Sequence, residues 1–373
     1  MSSMKIAILG AGNVGTAMAC YMAQDHDVYM HSSKPDAWNN DIVYKDKVSN
    51  SQFVAKIKCV TDRYDVAVEN ADVIFITYPS FMVEAALDGI APYLKKGAKV
   101  GIVPGTGGAE FTHAKVLEKG AEFFGMDRVP CVARIEEYGK SVIASKKAKT
   151  RLAAIPNAAT EEIAKTVSDL LDMEIETLSN YLIVTFTASN PIVHTARLFA
   201  MLRDRGDEAS WERNIPFYAE WDDEASEIMM GCDNELHQIC DALDRLDMSG
   251  VVPLTKHYEV ETISQMSAKI RSIESMQHIL SPMIEKDGRF VIDKESRYFK
   301  EDMPYGLCVI KGFAVICGVE TPYIDSILKW YEGFGNVEYF VQGEFAGKDL
   351  KEAAIPQNFG IKTKTQVYDF YLQ

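Results

Sequence analysis

Basic residues are in deficit in this chain: 39 Lys and Arg stand against 54 Asp and Glu, a formal net charge of −15. That balance favours solubility and argues against nucleic acid or an anionic membrane as the main partner, while leaving room for a local basic pocket for a phosphorylated ligand. Long apolar runs are also missing. The stretch Leu307–Val319 is short for a bilayer and is broken by Lys311, so it reads as a buried helix and no membrane contact is expected. No secretory pattern opens the chain, because Lys5–Leu9 passes straight into a glycine turn without a cleavage-site pattern. The seven cysteines are odd in number, scattered and contain no CxxC, which predicts free thiols in a reducing cytoplasm. Cys232, His237 and Cys240 are close in sequence. On a helix, however, His237 points away from the face shared by the two cysteines, so no metal site is expected.

What is present describes a packed globular protein. Hydrophobic residues make up 47% and charged residues 25% of 373 positions, a length that suits two domains. Strand candidates in the first half are Lys5–Leu9, Asp27–His31, Phe53–Val60, Asp72–Thr77, Lys99–Val103 and Arg128–Ala133. Helical patterns at Val14–Gln24, Phe81–Leu94 and Glu110–Lys119 lie between several of them. This alternation predicts an α/β fold, a Rossmann-type doubly wound parallel sheet with helices on both faces. Ser141–Ala144 and Arg151–Ile155 extend that sheet, a helix follows near Thr160–Leu171, and Met173–Glu176 is a candidate edge strand.

From Asn190 the pattern turns helical. It runs to Asp247 with Gly206, Gly231 and Asn214–Pro216 as its few turn signals, and resumes through Tyr258–Leu280, Tyr305–Cys317 and Thr321–Trp330. Residues 1–185 therefore read as an α/β domain and 186–373 as a mainly α-helical one. The last thirty residues carry no legible pattern.

Gly10-Ala11-Gly12-Asn13-Val14-Gly15 fits GxGxxG between an apolar strand and a helical pattern, the context that gives this motif its meaning. Gly10 allows the tight turn, Gly12 lets backbone approach a pyrophosphate, and Gly15 lets helix pack on strand. The N–H groups of Asn13 and Val14 open a helix whose positive end suits phosphate. A NAD-preferring domain usually carries an acid roughly 20 residues on, at the end of the second strand. Here the positions read His31-Ser32-Ser33-Lys34, two hydroxyls and a cation suited to a 2′-phosphate, so NADP(H) is favoured. NAD(H) stays open through Asp36. Further cofactor contacts are expected at Tyr78-Pro79, after the fourth strand, and at Gly105 of Pro104–Gly108, after the fifth, because ligands bind at the C-terminal ends of strands in such sheets.

The second half offers Asn190-Pro191-Ile192-Val193-His194, with Asn190 as N-cap, Pro191 at the first helical position and His194 one turn on. Arg297 to Gly306 reads R-Y-F-K-E-D-M-P-Y-G. Asp302 precedes a helix start at Pro304 and reads locally as a cap. Should it reach His194, it would fix the imidazole tautomer and make a general acid–base.

These motifs together resemble the octopine/nopaline (opine) dehydrogenase family, through both halves. GAGNVG is similar to its cofactor loop, PGTGG to its second glycine loop, NPIVH to its NPxxH-type segment and R-x4-D-x-P-x-G to its second catalytic segment. The resemblance implies His194 as acid–base, Asp302 as its partner, Asn190 as a substrate contact and Arg297 as a cation for substrate carboxylate or cofactor phosphate. A carboxylate-bearing substrate needs a cation in any case, and Arg134 is a weaker candidate for it. The resemblance also implies reductive condensation of an amino acid with a 2-oxo acid through an imine, and so small-molecule partners. A homodimer stays open as one oligomeric option.

Two other readings stay in view. A hydroxy-acid or glycerol-phosphate-type dehydrogenase would share the layout, though several of those use a catalytic lysine where this helix presents Asn190 and His194. A non-enzymatic NADP(H)-sensing protein would leave the His and Asp motifs unexplained. The acidic run Glu220–Glu224 reads as a solvated helix face, and Trp211, Tyr218 and Trp221 as packing residues.

Overall fold

The computed structural model describes residues 3–187, 189–206 and 209–373. The chain divides into two compact units. One holds the residues up to Thr185 together with Asp369–Gln373, and the other runs Phe186–Tyr368.

The first unit opens with β1 (Lys5–Leu9), α1 (Asn13–Met22), β2 (Asp27–His31), β3 (Asp41–Asp46), β4 (Gln52–Lys56) and β5 (Cys59–Thr61). It continues through α2 (Tyr64–Val68), β6 (Val73–Ile76), α3 (Ser80–Ile90), β7 (Lys99–Ile102), α4 (Ala114–Leu117), β8 (Glu122–Met126), β9 (Cys131–Glu137), β10 (Ser141–Lys146), β11 (Lys149–Ile155), α5 (Thr160–Leu171) and β12 (Glu174–Thr177). Eight strands form one sheet in the order β12-β11-β8-β7-β6-β1-β2-β5. Every neighbouring pair is parallel except β8 and β11. The strands near its centre read as continuous apolar runs, as burial on both faces requires: Ile6–Leu9 and Val73–Ile76 are wholly buried. The chain winds from β1 toward β2 and then returns to β6 on the other side of β1. That reversal is the crevice where ligands bind such sheets.

A second sheet, β4-β3-β10-β9, corrects the expectation that all the early strands belong together. Helix α1 lies between the sheets. Ala17, Met18, Cys20 and Met22 pack in one cluster with Ile6, Ile8 and Val28 of the large sheet and with Ile42, Tyr44, Val142 and Ala144 of the small one. The run at Phe53–Val60 is two strands in different sheets, and Ser141–Lys146 joins the small sheet. The strand expected at 128–133 is displaced: β8 lies at Glu122–Met126 and β9 begins at Cys131. Gly125 disguised β8, because a glycine inside a strand reads as a turn. Its actual role is clearance, since a Cβ there would meet the Tyr181 hydroxyl at 2.2 Å. The expected helix at 110–119 shortens to a 3₁₀ turn, Ala109–Thr112, followed by α4.

The chain passes between units within α6 (Leu182–Thr187). The second unit comprises α7 (Asn190–Leu202), β13 (Ser210–Trp211), α8 (Asp223–Ala242), α9 (Leu254–Tyr258), α10 (Ile263–Ser272), β14 (Met283–Lys286), β15 (Arg289–Ile292), α11 (Arg297–Lys300), α12 (Cys308–Cys317) and α13 (Pro322–Gly335). It closes with α14 (Lys364–Tyr371), whose last residues belong to the first unit. Gly231, read as a turn signal, sits inside α8 beside the Tyr323 ring, where a Cβ would clash at 2.5 Å. A small antiparallel sheet, β13-β15-β14, interrupts the helices. Its β14–β15 hairpin turns at Asp287-Gly288, both at positive φ. The final thirty residues carry two 3₁₀ turns, Lys348–Glu352 and Pro356–Phe359, before α14.

Candidate active site

The glycine loop after β1 has three glycines with three different reasons. Gly10 lies at φ +117°, and a Cβ on it would meet the Thr77 hydroxyl at 2.5 Å. A Cβ on Gly15 would fall 1.9 Å from the Gly10 carbonyl, so helix and strand could not approach as they do. Around Gly12 nothing lies within 4 Å of a Cβ position. Gly12 caps α1 with no side-chain hydrogen bond, and the first turn carries no acid. Open space beside Gly12 and a first turn without an acid of its own fit a dinucleotide pyrophosphate. Asn13 and Val14 supply backbone there; the Asn13 amide oxygen itself accepts from the Ile135 N–H of β9 at 2.8 Å, tying the loop to the small sheet.

At the end of β2 the expected polar cluster is present in altered form. His31 bonds the Asp62 carbonyl through Nε2 at 3.0 Å, and its Nδ1 lies 2.5 Å from the Tyr78 hydroxyl. A carbonyl accepts only, so Nε2 carries the proton and Nδ1 accepts from Tyr78. Burial lowers the His31 pKa, in keeping with a neutral ring. Tyr64 stacks on it at 4.3 Å. Ser32 is buried, and its hydroxyl accepts from the Lys34 N–H at 3.2 Å. Ser33, Lys34 and Asp36 are exposed. Tyr78 and Pro79 sit at the end of β6, beside Gly10, whose added Cβ would meet the Tyr78 ring at 3.2 Å. Gly105 is buried, donates to the Met126 carbonyl at 2.7 Å and accepts from Tyr181 at 3.0 Å, and a Cβ would strike Gly125 at 2.5 Å. These contacts explain why a glycine stands at this position.

In the second unit, two motifs 108 residues apart meet. His194 Nδ1 lies 2.8 Å from Asp302 Oδ2, with both side chains buried. The acceptor carboxylate fixes the proton on Nδ1 and makes Nε2 the accepting nitrogen. Burial pushes the Asp302 carboxyl above its ordinary range, while the imidazole draws it back down. Asp302 is not the cap expected of it. Its backbone is already helical and its side chain makes no capping bond. The chain there winds as a π-turn, Met303–Leu307, running into α12. Asn190 is likewise inside α7, behind Ser189 at the cap position; it is exposed, one turn before His194.

Two aromatic residues complete the surroundings of His194. Tyr298 stacks on its ring at 4.0 Å, and the Tyr218 hydroxyl lies 3.0 Å from Nε2. In the sequence Tyr218 reads as a packing residue. Nothing local marks it, because its importance lies in a contact 24 residues away. The acidic run beside it is also more than a solvated face: Asp222 caps α8 at the Ala225 N–H and pairs with the buried Arg197. Arg297 is exposed and pairs with Glu301 at 2.5 Å, one turn away. Arg134 is exposed on β9. Among the described residues, no group of three His, Cys, Asp or Glu side chains is placed to hold a metal, and no helix is long and apolar enough to cross a membrane.

A glycine cradle for a dinucleotide and a buried imidazole–carboxylate pair mark an NAD(P)-dependent oxidoreductase. The profile of the ketopantoate reductase PanE/ApbA family matches residues 6–129, and that of the NAD/NADP octopine/nopaline dehydrogenase α-helical domain matches residues 177–334. An opine dehydrogenase of Haliotis discus hannai is 31% identical over 83% of this chain and 81% of its own. The chain belongs to the opine dehydrogenase family. An octopine dehydrogenase of Pecten maximus is 25% identical over 97% of this chain and 98% of its own. A solved octopine dehydrogenase holding NADH and L-arginine shares the fold at a TM-score of 0.86, with 23% identity and 98% of each chain covered. The activity that goes with the family is that of an opine dehydrogenase, and the α/β fold with a helical second half accords with it.

Proposed function

We propose that this chain joins the amine of an amino acid to the carbonyl of a 2-oxo acid and reduces the product to a secondary amine, with His194 as the acid–base. The observation that carries this reading is the buried 2.8 Å bond from His194 Nδ1 to Asp302, which leaves Nε2 as the nitrogen for proton transfer. A neutral imidazole takes a proton from the incoming ammonium. The freed amine adds to the carbonyl, one of its protons passing to the oxygen, to give a carbinolamine. The imidazolium then gives its proton to the carbinolamine hydroxyl, which leaves as water, and the iminium remains. Asp302 keeps the ring in one tautomer and stabilises its charged form.

Gly10, Gly12, Gly15 and the N–H groups of Asn13 and Val14 hold the dinucleotide, with Ser32, Ser33, Lys34, Tyr78 and Pro79 on its adenosine side. When bound, the nicotinamide supplies the hydride that reduces the iminium carbon. NADP(H) is favoured over NAD(H), because the β2 end carries no carboxylate before Asp36 and Lys34 has no ion-pair partner among the described residues. Asn190 and Arg297 contact substrate, Arg297 by exchanging Glu301 for a substrate carboxylate. Seven unpaired thiols, five of them buried, support the cytoplasmic expectation.

The test is a panel of amino acids paired with pyruvate, oxaloacetate and glyoxylate, run with NADH and with NADPH. Oxidation that needs both the amine and the keto acid supports the reading. Oxidation by a keto acid alone would favour the hydroxy-acid dehydrogenase alternative.

A further inference from the structure

His194 has no open nitrogen in this structure. Nδ1 is held by Asp302 at 2.8 Å and Nε2 by the Tyr218 hydroxyl at 3.0 Å. One ring face is covered by Tyr298 at 4.0 Å and 17°, and Phe217 packs edge-on at 5.8 Å. The side chain keeps only 9% of its surface exposed. A substrate proton can reach Nε2 only if Tyr218 leaves or if Tyr218 carries it.

Tyr218 is fastened on several sides. Its ring lies parallel to that of Trp221, within 6°, and Phe217 packs against it at 4.9 Å. Trp221 is fixed in turn by its Nε1–H to the Ser226 hydroxyl at 2.9 Å, and its carbonyl accepts from Arg271 at 2.6 Å. The Phe217 N–H donates to the Ile279 carbonyl at 2.8 Å. The buried Arg197 guanidinium binds the Glu220 carbonyl at 2.6 Å and the Asp222 carboxylate. Arg197 stands three residues beyond His194 on α7, so the helix that carries the imidazole also clamps the segment that carries the tyrosine. A ring packed on two sides, in a segment clamped at Phe217, Glu220, Trp221 and Asp222, makes Tyr218 a fixed part of the site.

We propose that Tyr218 is a catalytic residue of this reaction, its hydroxyl meeting the substrate and relaying the proton to and from His194 Nε2. This rests on His194 being the acid–base. With Nδ1–H directed at Asp302, Nε2 accepts the tyrosine O–H, and the hydroxyl oxygen keeps lone pairs free to accept a proton. In the forward direction an ammonium proton passes to the Tyr218 oxygen as the tyrosine proton passes to Nε2, giving imidazolium and a neutral amine. In dehydration the order reverses: imidazolium returns a proton to the oxygen while the hydroxyl gives one to the departing hydroxide, which leaves as water. Tyr218 ends each step unchanged, and one proton moves in net. Burial, with Asp302 close by, pushes the Tyr218 hydroxyl well above its ordinary range, so a free tyrosinate is avoided and both transfers occur together.

The experiment compares wild type, Tyr218→Phe and His194→Ala as full-length proteins. Tyr218→Phe is expected to lower kcat by about a hundredfold, the lower end of general acid–base contributions, with cofactor affinity unchanged. The rate in mixtures of light and heavy water should depend on solvent composition along a curve in wild type, reporting two protons in flight. It should follow a straight line in Tyr218→Phe. Independently of turnover, imidazole ¹⁵N resonances should show the Nε2 signal moving in Tyr218→Phe while Nδ1 stays protonated. If Tyr218→Phe fails to fold, 3-fluorotyrosine at 218 keeps the shape and must still change the rate and the heavy-water curve. A Tyr218→Phe enzyme within about twofold of wild type, beside an inactive His194→Ala, overturns the relay and leaves the acid–base reading standing. Full turnover in His194→Ala overturns the acid–base reading, and the relay with it.

Discussion

A Cβ placed on Gly306 would fall 2.4 Å from the Cβ of Pro191, so the turn behind Asp302 packs directly on the turn before His194. The second glycine-bearing motif and the NPIVH helix thus meet backbone to ring, and the imidazole–carboxylate distance depends on that closeness. Gly306→Ala should cost about 1–3 kcal/mol by overpacking and should lower kcat more than it raises KM for cofactor. Thermal unfolding and steady-state kinetics on the same preparation check both. A variant of wild-type stability and rate would show that the contact is slack.

Asp302→Asn should keep the fold and lower kcat by roughly 10²-fold or more, and it should change the pH profile of the reaction. An amide cannot stabilise the imidazolium, and it can donate to Nδ1 and so reverse the tautomer. An unchanged profile would reduce Asp302 to a packing role.

The ends of β2 and β6 give a cofactor prediction. Lys34→Ala should weaken NADPH by about tenfold, the worth of one charge-assisted hydrogen bond, and leave NADH nearly untouched. Titrations of the two reduced cofactors by fluorescence decide it. Equal losses would make the lysine a bystander.

Glu110 carries a stability prediction. It is fully buried. Its Oε1 accepts from the Tyr371 hydroxyl at 2.9 Å and from Thr185, and its Oε2 has no partner among the described residues. Burial raises its pKa to about 7. An acid with a raised folded pKa stabilises most below its unfolded value, near 4.5, and that stability is lost as pH climbs through about 7. The loss is about 3 kcal/mol at one pKa unit per 1.36 kcal/mol. Glu110→Gln should flatten the dependence of thermal unfolding on pH between those limits, and a slope equal to wild type would contradict the assignment.

What could be read from the sequence was local. The β1–glycine–α1 unit is legible because strand, turn and helix follow each other within a few residues. NPIVH and the Asp302 segment are legible as motifs, although only the fold brings them together. The second sheet was hidden, since Asp41–Asp46 mixes charged and apolar residues and Gly125 disguises β8. The β14–β15 hairpin did leave a signal, Asp287-Gly288. Tyr218 and Arg197 left none: one looks like an aromatic packing residue and the other like a helix cation. Their roles exist only through partners 24 and 25 residues away.

The proposed chemistry rests most directly on the imidazole of α7. Purified wild type and His194→Ala should be compared for binding of reduced cofactor and for its oxidation in the presence of an amino acid with a 2-oxo acid. The expected result is equal cofactor binding and a loss of turnover of about a hundredfold or more in the variant. Turnover that survives the loss of the imidazole would contradict it.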